Sequence, residues 1–269
     1  MAAISPSVRF PSTSFVSQAE FAAFRRTAQE RLDARHSHET ALLTQDGRLT
    51  QPGTCALCLR RTLFTSDTAG WPQAADGRHS PHWDEALVCD CADALGKRAR
   101  AVVHFAQREA ALQPWTRLLL FGPPDGSHRR LASLAGETLI RPALVADGAG
   151  YRLDADDGSC HLVIAVECLH RVPPLDSALA AFHRALVPGG ALVFTVPFRH
   201  TAVRTVSRTD LPHHAGRLPA LLREPVHDIG WDVLERLRAA GFDHAAAHCY
   251  WSAELGYLGA FSMIFHAAR

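Results

Sequence analysis

Four cysteines in two close pairs carry the clearest chemical signal in this chain of 269 residues. The pairs read Cys55-Ala-Leu-Cys58 and Cys89-Asp-Cys91. Two such pairs can bring four thiolates to one tetrahedral ion, and four sulfur ligands favour zinc. A site closed by four sulfurs leaves no position for a substrate, so its role is structural. The spacing therefore predicts a structural zinc ion bound by Cys55, Cys58, Cys89 and Cys91.

The residues between the two pairs give such a metal a physical purpose. From Thr44 to about Trp83 the chain is rich in Gly, Pro, Thr and Asp, and no long helix or strand is predicted there. A segment of this kind has too few apolar residues for a hydrophobic core of its own, and a bound metal ion would stabilise it instead. Two alternatives stay open. Either His79 or His82 takes the place of one sulfur, or the four are ordinary reduced cysteines.

The elements that would position a further site begin with residues 157–198. Within this stretch His161–Val166 and Ala191–Val196 are apolar runs of strand length. Between them, apolar residues recur at helical spacing over residues 175–186, and Pro188-Gly189-Gly190 ends the helix. Two buried strands joined through a helix form a crossover unit, which predicts a parallel sheet.

Other elements flank this unit. Residues 1 to about 15 are expected to form a loose arm, because Pro and Ser predominate there. The further predicted elements are a helix from the S-x-x-E pattern at Ser17 to Leu32, a helix from about Asp93 to Leu112, strands at Arg117–Phe121 and Glu137–Arg141, a helix over Trp231–Ala240 capped by Gly241, and final strands at Ala245–Trp251 and Phe261–Ala267.

In the order and the residues of their motifs, residues 157–198 resemble the second half of a class I S-adenosylmethionine (SAM)-dependent methyltransferase domain. The motifs that match are Asp157-Gly158, Leu162-Val163, Leu169-His170-Arg171-Val172 and Leu186-Val187-Pro188-Gly189-Gly190. A subgroup of bacterial methyltransferase-like proteins with an N-terminal cysteine cluster is similar from about residue 50 onward, through Asp84–Cys91, Lys97–Ala101, Gly230-Trp231-Asp232, Gly241-Phe242, Tyr250-Trp251-Ser252 and Leu255-Gly256-Tyr257.

The resemblance implies an α/β fold. Its core would be a doubly wound, mostly parallel, Rossmann-like sheet of seven strands, preceded by a small helical and zinc-binding module. Residues 1–113 are expected to form the N-terminal module, and residues 114–269 the methyltransferase-like domain.

The resemblance also implies where SAM would bind, and there this chain departs from the family pattern. Gly122 and Gly126 match the outer glycines of the "E-x-G-x-G-x-G" turn, but Pro124 replaces the middle glycine and Leu120 stands where the family has its acid. No acid is evident at the end of the second strand. The predicted cofactor-binding residues are Gly122, Asp125, Gly126, Asp154 and Asp156, of which the last two are candidates for the adenine contact.

Ligands of open α/β sheets bind at the carboxyl ends of the strands. That rule places 122–126, 167–171 and 197–200 around one crevice. His170 is the predicted general base, since imidazole titrates near neutrality, and Glu167 would orient it or bind substrate. A polar loop residue without a catalytic role is the alternative for His170. Further polar residues fall in the segment expected to cover a substrate: Arg199, His200, His213 and His214. Trp251 and Tyr257 are candidates for a pocket wall or for the core.

Composition limits the location and the classes of function that this chain can have. The formal net charge is +1, no apolar run is long enough to span a bilayer, and the N-terminus lacks a secretory signal, so the cytoplasm is expected.

The leading hypothesis is a SAM-dependent methyltransferase acting on a small molecule, as a homo- or hetero-oligomer or alone. The alternative is a fold that has lost methyl transfer and serves as a pseudoenzyme subunit or catalyses another reaction. A third hypothesis is a nucleic-acid-binding module, against which the near-neutral charge argues.

Overall fold

The computed structural model describes residues 8–67, 71, 77, 79, 81–122, 125–140, 144–146, 151–208 and 225–269. The chain divides into two compact units. Unit 1 comprises residues 1–13, 24–111 and 250–262, and unit 2 comprises residues 14–23, 112–249 and 263–269. The expected boundary between residues 113 and 114 stays a prediction.

Helices and strands alternate through most of the described chain. The helices are α1 (Gln18–Thr27), α2 (Gln29–Ala41), α3 (Lys97–Arg108), α4 (Gly126–Leu134), α5 (Leu175–Ala185) and α6 (Val233–Ala239). The strands are β1 (Ser12–Phe15), β2 (Arg48–Thr54), β3 (Arg61–Asp67), β4 (Arg117–Phe121), β5 (Glu137–Ile140), β6 (Leu144–Ala146), β7 (Tyr151–Leu153), β8 (Cys160–Val166), β9 (Leu186–Thr195), β10 (Val206–Ser207), β11 (His227–Asp228), β12 (His244–Tyr250) and β13 (Met263–Ala268). None of the helices in this part of the chain combines the length and the hydropathy that a membrane span requires.

The central sheet has seven strands in the order β1-β12-β13-β9-β8-β4-β5. Strands β5, β4, β8 and β9 pair in parallel, while β13 pairs antiparallel with both β9 and β12. The predicted α/β fold with a mostly parallel sheet of seven strands is therefore confirmed. Because β4, β8 and β9 are parallel neighbours, the segments that follow them meet at one edge of the sheet.

The strands at the centre of the sheet are buried on both faces, as expected when helices cover a parallel sheet. Helix α5 places Phe182 against Phe121 of β4, with ring centroids 5.0 Å apart. On the antiparallel side Phe194 of β9 stacks on Phe265 of β13 at 4.9 Å. This packing fixes the strand ends from which the crevice is built.

Two parts of the structure differ from the sequence-based expectation. Residues 12–15 form strand β1 at the sheet edge rather than part of a loose arm. The segment from Thr44 onward, for which no long element was predicted, contains the antiparallel hairpin of β2 and β3. The buried positions of β2 alternate with exposed ones, but they include Gln51 and Gly53. The sequence therefore lacks the alternation of apolar and polar residues that predicts a strand. Gly53 is needed there because a Cβ would lie 2.2 Å from the Glu254 carbonyl oxygen.

A buried lysine is held inside unit 1. The Lys97 ammonium on α3 is fully buried and lies 2.6 Å from the Asp84 carboxylate. It also donates hydrogen bonds to the Leu258 carbonyl, at 2.8 Å, and to the Ser262 hydroxyl. Burial acts to raise the pKa of Asp84, but the charge of Lys97 outweighs it and lowers the pKa to about 2. The pair thus ties α3 to the segment 250–262.

We expect Asp84→Asn to lower the free energy of unfolding by about 1–2 kcal/mol near neutral pH, because Lys97 would stay buried without its counter-charge, while solvent screens the Asp84 side chain, which is 41% exposed. The folded-state pKa of Asp84, about 2, lies below the reference value of 3.8, so this stabilisation is complete above the reference pKa. It is lost as the pH falls through the folded-state pKa. Urea unfolding of wild type and variant should therefore show a difference that shrinks between pH 5 and pH 2.

Asp33→Asn provides the control for this measurement. Asp33 is exposed on α2. In the described part of the chain, its carboxylate accepts a hydrogen bond from the Gln29 side chain and from no other residue. Its substitution should change stability by less than about 0.5 kcal/mol at any of these pH values. A difference between wild type and Asp84→Asn that stays constant with pH would contradict the role given to the carboxylate charge.

Candidate functional site

The four predicted zinc ligands converge in unit 1. The Sγ atoms of Cys55, Cys58, Cys89 and Cys91 all lie within 4.8 Å of one another, and Cys58 and Cys89 are 4.0 Å apart. A tetrahedral zinc ion with sulfur bonds of about 2.3 Å would space its ligands roughly 3.8 Å apart. The donor set and its spacing therefore fit zinc. No other group of this kind occurs in the described residues, and neither His79 nor His82 belongs to it.

The hairpin of β2 and β3 brings the two pairs together. Cys55 follows β2, and its amide donates to the Arg60 carbonyl at 3.0 Å, so Cys55 and Cys58 lie in the hairpin turn. Val88 forms an antiparallel bridge to Thr65 of β3. That bridge carries Cys89 and Cys91 alongside the turn. This hairpin, which was not predicted from the sequence, thus brings Cys89 and Cys91 close to Cys55 and Cys58.

The thiols differ in their surroundings. Burial raises the pKa of Cys55 and of Cys89. Burial also acts to raise the pKa of Cys58, but hydrogen bonds from Arg60 and from neighbouring cysteines outweigh it and lower the pKa. Buried thiols of this kind deprotonate when a metal ion takes the place of their protons.

In unit 2 the segments that follow β4, β8 and β9 meet at the carboxyl edge of the sheet, and this candidate site is called the crevice. Gly122, which follows β4, has a φ of 117°. A Cβ at this position would lie 3.1 Å from both the Cβ and the Sγ of Cys168. The Cys168 thiol is fully buried and donates to the Phe121 carbonyl at 3.4 Å. Only glycine therefore suits the turn.

Glu167 stands at the end of β8 with a φ of 49°, which is unusual for a residue other than glycine. Its amide donates to the Thr195 carbonyl, at 2.9 Å, and to the Thr195 hydroxyl, at 3.3 Å. The end of β9 thus holds the Glu167 backbone in this conformation. Backbone outliers of this kind cluster at ligand sites.

His170 lies in the one-turn helix Leu169–Arg171 that follows, and only 2% of it is exposed. Part of its cover is the two-stranded ribbon of β10 and β11. The Val226 amide donates to the His170 carbonyl at 2.9 Å, and His227 bridges the Val172 carbonyl and the Ser207 hydroxyl, at 3.0 and 2.9 Å. Burial lowers the pKa of His227. Sequence reasoning did not single out His227, since only its long-range partners mark it.

Asp125 serves as the N-cap of α4. Its carboxylate accepts from the amides of Ser127 and His128, at 2.9 and 3.2 Å, and from the Ser127 hydroxyl. Burial acts to raise its pKa, but the hydrogen bond with the His128 side chain lowers it. The carboxylate is therefore engaged within its own chain. Pro124 lies outside the described residues.

Asp154 and Asp156 are placed at a different edge of the sheet. They line a cavity of about 470 Å³ together with Arg117, Glu137 and Cys160, which are the first residues of β4, β5 and β8. Those are the amino ends of the parallel strands. The structure therefore brings Gly122, Asp125, Gly126, Glu167 and His170 to the carboxyl edge but does not bring these two aspartates to it.

Comparison with known proteins adds a family match to this geometry. Residues 125–194, from the N-cap of α4 to Phe194 within β9, match the family model described as "Methyltransferase domain". A search of curated proteins finds no match.

Residues 125–194 of this chain are thus similar to a methyltransferase domain.

Solved structures similar to this methyltransferase-like protein share little sequence with it. A SAM-dependent methyltransferase from Mesorhizobium loti is 15% identical, covers 64% of this chain and 98% of its own, and has a TM-score of 0.39. One from Aquifex aeolicus is 12% identical over 62% and 87%, with a TM-score of 0.35. A complex of the Haloferax volcanii Trm112 methyltransferase activator with a methyltransferase matches at 13% identity over 63% and 87%, with a TM-score of 0.41. The likeness to a methyltransferase domain rests on the sequence match of residues 125–194 and not on these scores.

The other predicted residues are distributed between the units. His200 lies in unit 2, where its carbonyl accepts from the Trp231 indole at 2.9 Å. In unit 1 Tyr257 is wholly buried, and the Trp251 indole donates to Glu39 at 2.7 Å. Tyr257 is thus a core residue. His213 and His214 lie outside the described residues.

We expect Gly122→Ala to destabilise the methyltransferase-like protein by about 2–4 kcal/mol, because it adds a strained φ and a contact with Cys168. Gly158→Ala is the matched control. Gly158 also has a positive φ, 62°, but a Cβ there would meet nothing within 4 Å. That variant should lose only about 1–2 kcal/mol, and Cys168→Ala should recover part of the Gly122→Ala loss. Equal urea midpoints for the two glycine variants would contradict the close approach at Gly122.

Proposed function

We propose that this methyltransferase-like protein is a SAM-dependent methyltransferase that acts on a small molecule. The observation that carries the proposal is the match of residues 125–194, which contain β8, Glu167 and His170 but not β4 or Gly122, to a methyltransferase domain. The positive φ at Gly122 and the constrained backbone at Glu167 support it, because both lie where α/β folds of this kind bind ligands.

The residues of the crevice fit a cofactor that lies against backbone. Gly122 and Gly126 would let the chain approach the cofactor, and the N-terminus of α4 lies beside them. When bound, SAM supplies an electrophilic methyl group on a sulfonium. In the proposed mechanism an imidazole nitrogen of His170 accepts the proton from the substrate, and Glu167 orients it or the substrate. The ribbon of β10 and β11 helps to exclude water from His170.

We expect S-adenosylhomocysteine, the demethylated product, to bind the metal-replete wild-type protein with micromolar affinity in calorimetric titration. Gly122→Ala should weaken this binding at least about tenfold, because its methyl group displaces the turn that the ligand contacts. Gly158→Ala lies away from the crevice and should bind as wild type does. Equal weakening by the two variants would mean that the effect is one of stability and not of the site.

A second candidate function is a methyltransferase fold that has lost methyl transfer. Two observations favour it. The Asp125 carboxylate is engaged as a helix cap, and Leu120, which stands in the place of the family acid, is fully buried among apolar residues. Absence of S-adenosylhomocysteine binding at millimolar concentration would move the proposal to this function, as a pseudoenzyme subunit or an enzyme for another reaction. A homo- or hetero-oligomer and a cytoplasmic location also stay predictions.

We further propose that Cys55, Cys58, Cys89 and Cys91 bind one structural zinc ion. Three of the four are buried, and buried thiols this close together are stabilised by a shared cation. Native mass spectrometry of the purified chain should show one zinc per molecule. Cys91→Ser should lose the metal and unfold at lower temperature, whereas Cys160→Ser, which alters a buried cysteine outside the cluster, should retain it. Retention of zinc by Cys91→Ser would contradict the four-sulfur site.

A further inference from the structure

The short turn 169–172, which carries His170, is closed by two hydrogen bonds of its own backbone. The amides of Arg171 and Val172 donate them, at 2.9 and 3.2 Å. Beyond Val172 the chain continues as Pro173-Pro174, and proline has no amide hydrogen to donate. A single turn of this kind is only marginally stable by itself, so its conformation depends on contacts from elsewhere in unit 2.

His227 of β11 supplies such a contact from its side chain, which is buried. Its Nε2 atom lies 3.0 Å from the Val172 carbonyl oxygen, and its Nδ1 atom lies 2.9 Å from the Ser207 hydroxyl of β10. A carbonyl oxygen can only accept a hydrogen bond, so Nε2 carries the proton, and Nδ1 of the neutral ring accepts from the hydroxyl. Burial lowers the pKa of His227, which keeps the ring neutral near pH 7. Both ring nitrogens are therefore used.

The backbone beside His227 holds the same turn at a second point. The Val226 amide donates to the His170 carbonyl at 2.9 Å, and the Val226 carbonyl accepts from the Arg208 amide at 2.8 Å. Two adjacent residues of the ribbon of β10 and β11 thus hold the carbonyls of residues 170 and 172. The bond to residue 170 comes from the backbone, but the bond to residue 172 comes from one imidazole and can be removed by substitution.

Another attachment of the ribbon does not touch this turn. The Asp232 carboxylate accepts from the amide and from the hydroxyl of Thr205, both at 2.6 Å. The Thr205 hydroxyl accepts in turn from the Gly230 amide at 3.1 Å. Arg236 of α6 joins Asp232 to Asp176 of α5, at 2.9 and 2.8 Å. A change at Thr205 therefore loosens the residues that flank the ribbon without removing a contact of the turn.

We propose that His227 is a positioning residue, which fixes His170 in the crevice by holding the Val172 carbonyl. His170 is the general base of the proposed function, on which this role of His227 rests. His227 acts through the turn 169–172 and not on the substrate. Without its bond the turn takes up further conformations, and the His170 imidazole spends less time where a substrate proton can reach it. A displacement of about 1 Å at a reacting group can cost about a hundredfold in rate.

Two substitutions of His227 separate its ring nitrogens. The amide nitrogen of a glutamine side chain can occupy the place of Nε2 and donate to the Val172 carbonyl, whereas asparagine reaches only as far as Nδ1. Both variants lose the ring, so a role in packing alone predicts similar effects for both. We expect His227→Asn to speed amide hydrogen exchange at Arg171 and Val172 at least about tenfold, and His227→Gln to stay within about threefold of wild type.

Thr205→Val is the control for the stability of the ribbon. It should speed exchange at Gly230, whose amide donates to the Thr205 hydroxyl, and leave exchange at residues 171 and 172 within about threefold of wild type. The wild type offers a test that needs no substitution. Ring-nitrogen NMR shifts should show the neutral tautomer of His227 with its proton on Nε2. A proton on Nδ1 would overturn the hold on the Val172 carbonyl even where a variant does not fold.

The ring signal of His170 in NMR spectra connects the turn to ligand binding, and its loss in His170→Gln assigns it. S-adenosylhomocysteine should shift this signal in the wild type and in His227→Gln. In His227→Asn we expect a second His170 signal that the ligand does not shift.

Three results would overturn different parts of the inference. Equal exchange at residues 171 and 172 in the two His227 variants would leave the ring only a packing role. Exchange there that is as fast in Thr205→Val as in His227→Asn would show that the turn follows the stability of the ribbon. A wild-type chain that binds no S-adenosylhomocysteine at millimolar concentration would instead overturn the proposed function. The exchange contrast would then describe the turn but no longer a role in methyl transfer.

Discussion

Two positive charges inside unit 1 have to be satisfied, and much of that unit follows from this constraint. Lys97 and Arg100 lie one turn apart on α3, and both side chains are fully buried. Their partners come from residues 84–87 and from 255–262, which are far apart in sequence. Because a buried charge without partners costs several kcal/mol, these segments cannot leave α3 independently. The cysteine turn is built against the same helix through Phe64.

The crevice of unit 2 depends on backbone geometry more than on charged side chains. Gly122 and Glu167 both adopt positive φ values at neighbouring strand ends, and Cys168 fills the space behind the glycine. The acid that the family pattern places near the first strand is replaced by the buried Leu120. Backbone conformation at Gly122 and Glu167 therefore shapes this edge of the sheet.

Much of the sheet could be predicted from the sequence, because β4, β8, α5 and β9 are strongly apolar and bounded by Pro and Gly. The predicted strand at Arg117–Phe121 has the bounds that the structure gives it. Strand β1 and the β2–β3 hairpin could not be predicted in the same way. Strand β1 has only four residues, of which Phe15 alone is buried, and the buried positions of β2 include Gln51 and Gly53. The end of β2 is held by a long-range hydrogen bond from the Thr54 amide to the Glu254 carbonyl.

The candidate sites show the same contrast. The spacing of the cysteine pairs was enough to predict their convergence, because two short pairs need only one hairpin to meet. The roles of Asp125 and Asp154 could not be predicted in this way, because one depends on hydrogen bonds within α4 and the other on the path of the chain before β8. The first carboxylate is taken by the helix that begins beside it, and the second lies at the opposite edge of the sheet because the chain returns there before β8 begins. Neither effect has a local sequence signal.

The segment 250–262 lies between β12 and β13 in sequence but belongs to unit 1. The two units are therefore interleaved along the polypeptide, and neither corresponds to a single stretch of the gene. During synthesis unit 1 cannot be completed until the last strands of the sheet are emerging from the ribosome. An exchange of residues 97–108 without residues 250–262 would separate α3 from the carbonyl groups that its arginine and lysine require, so the two segments have to change together.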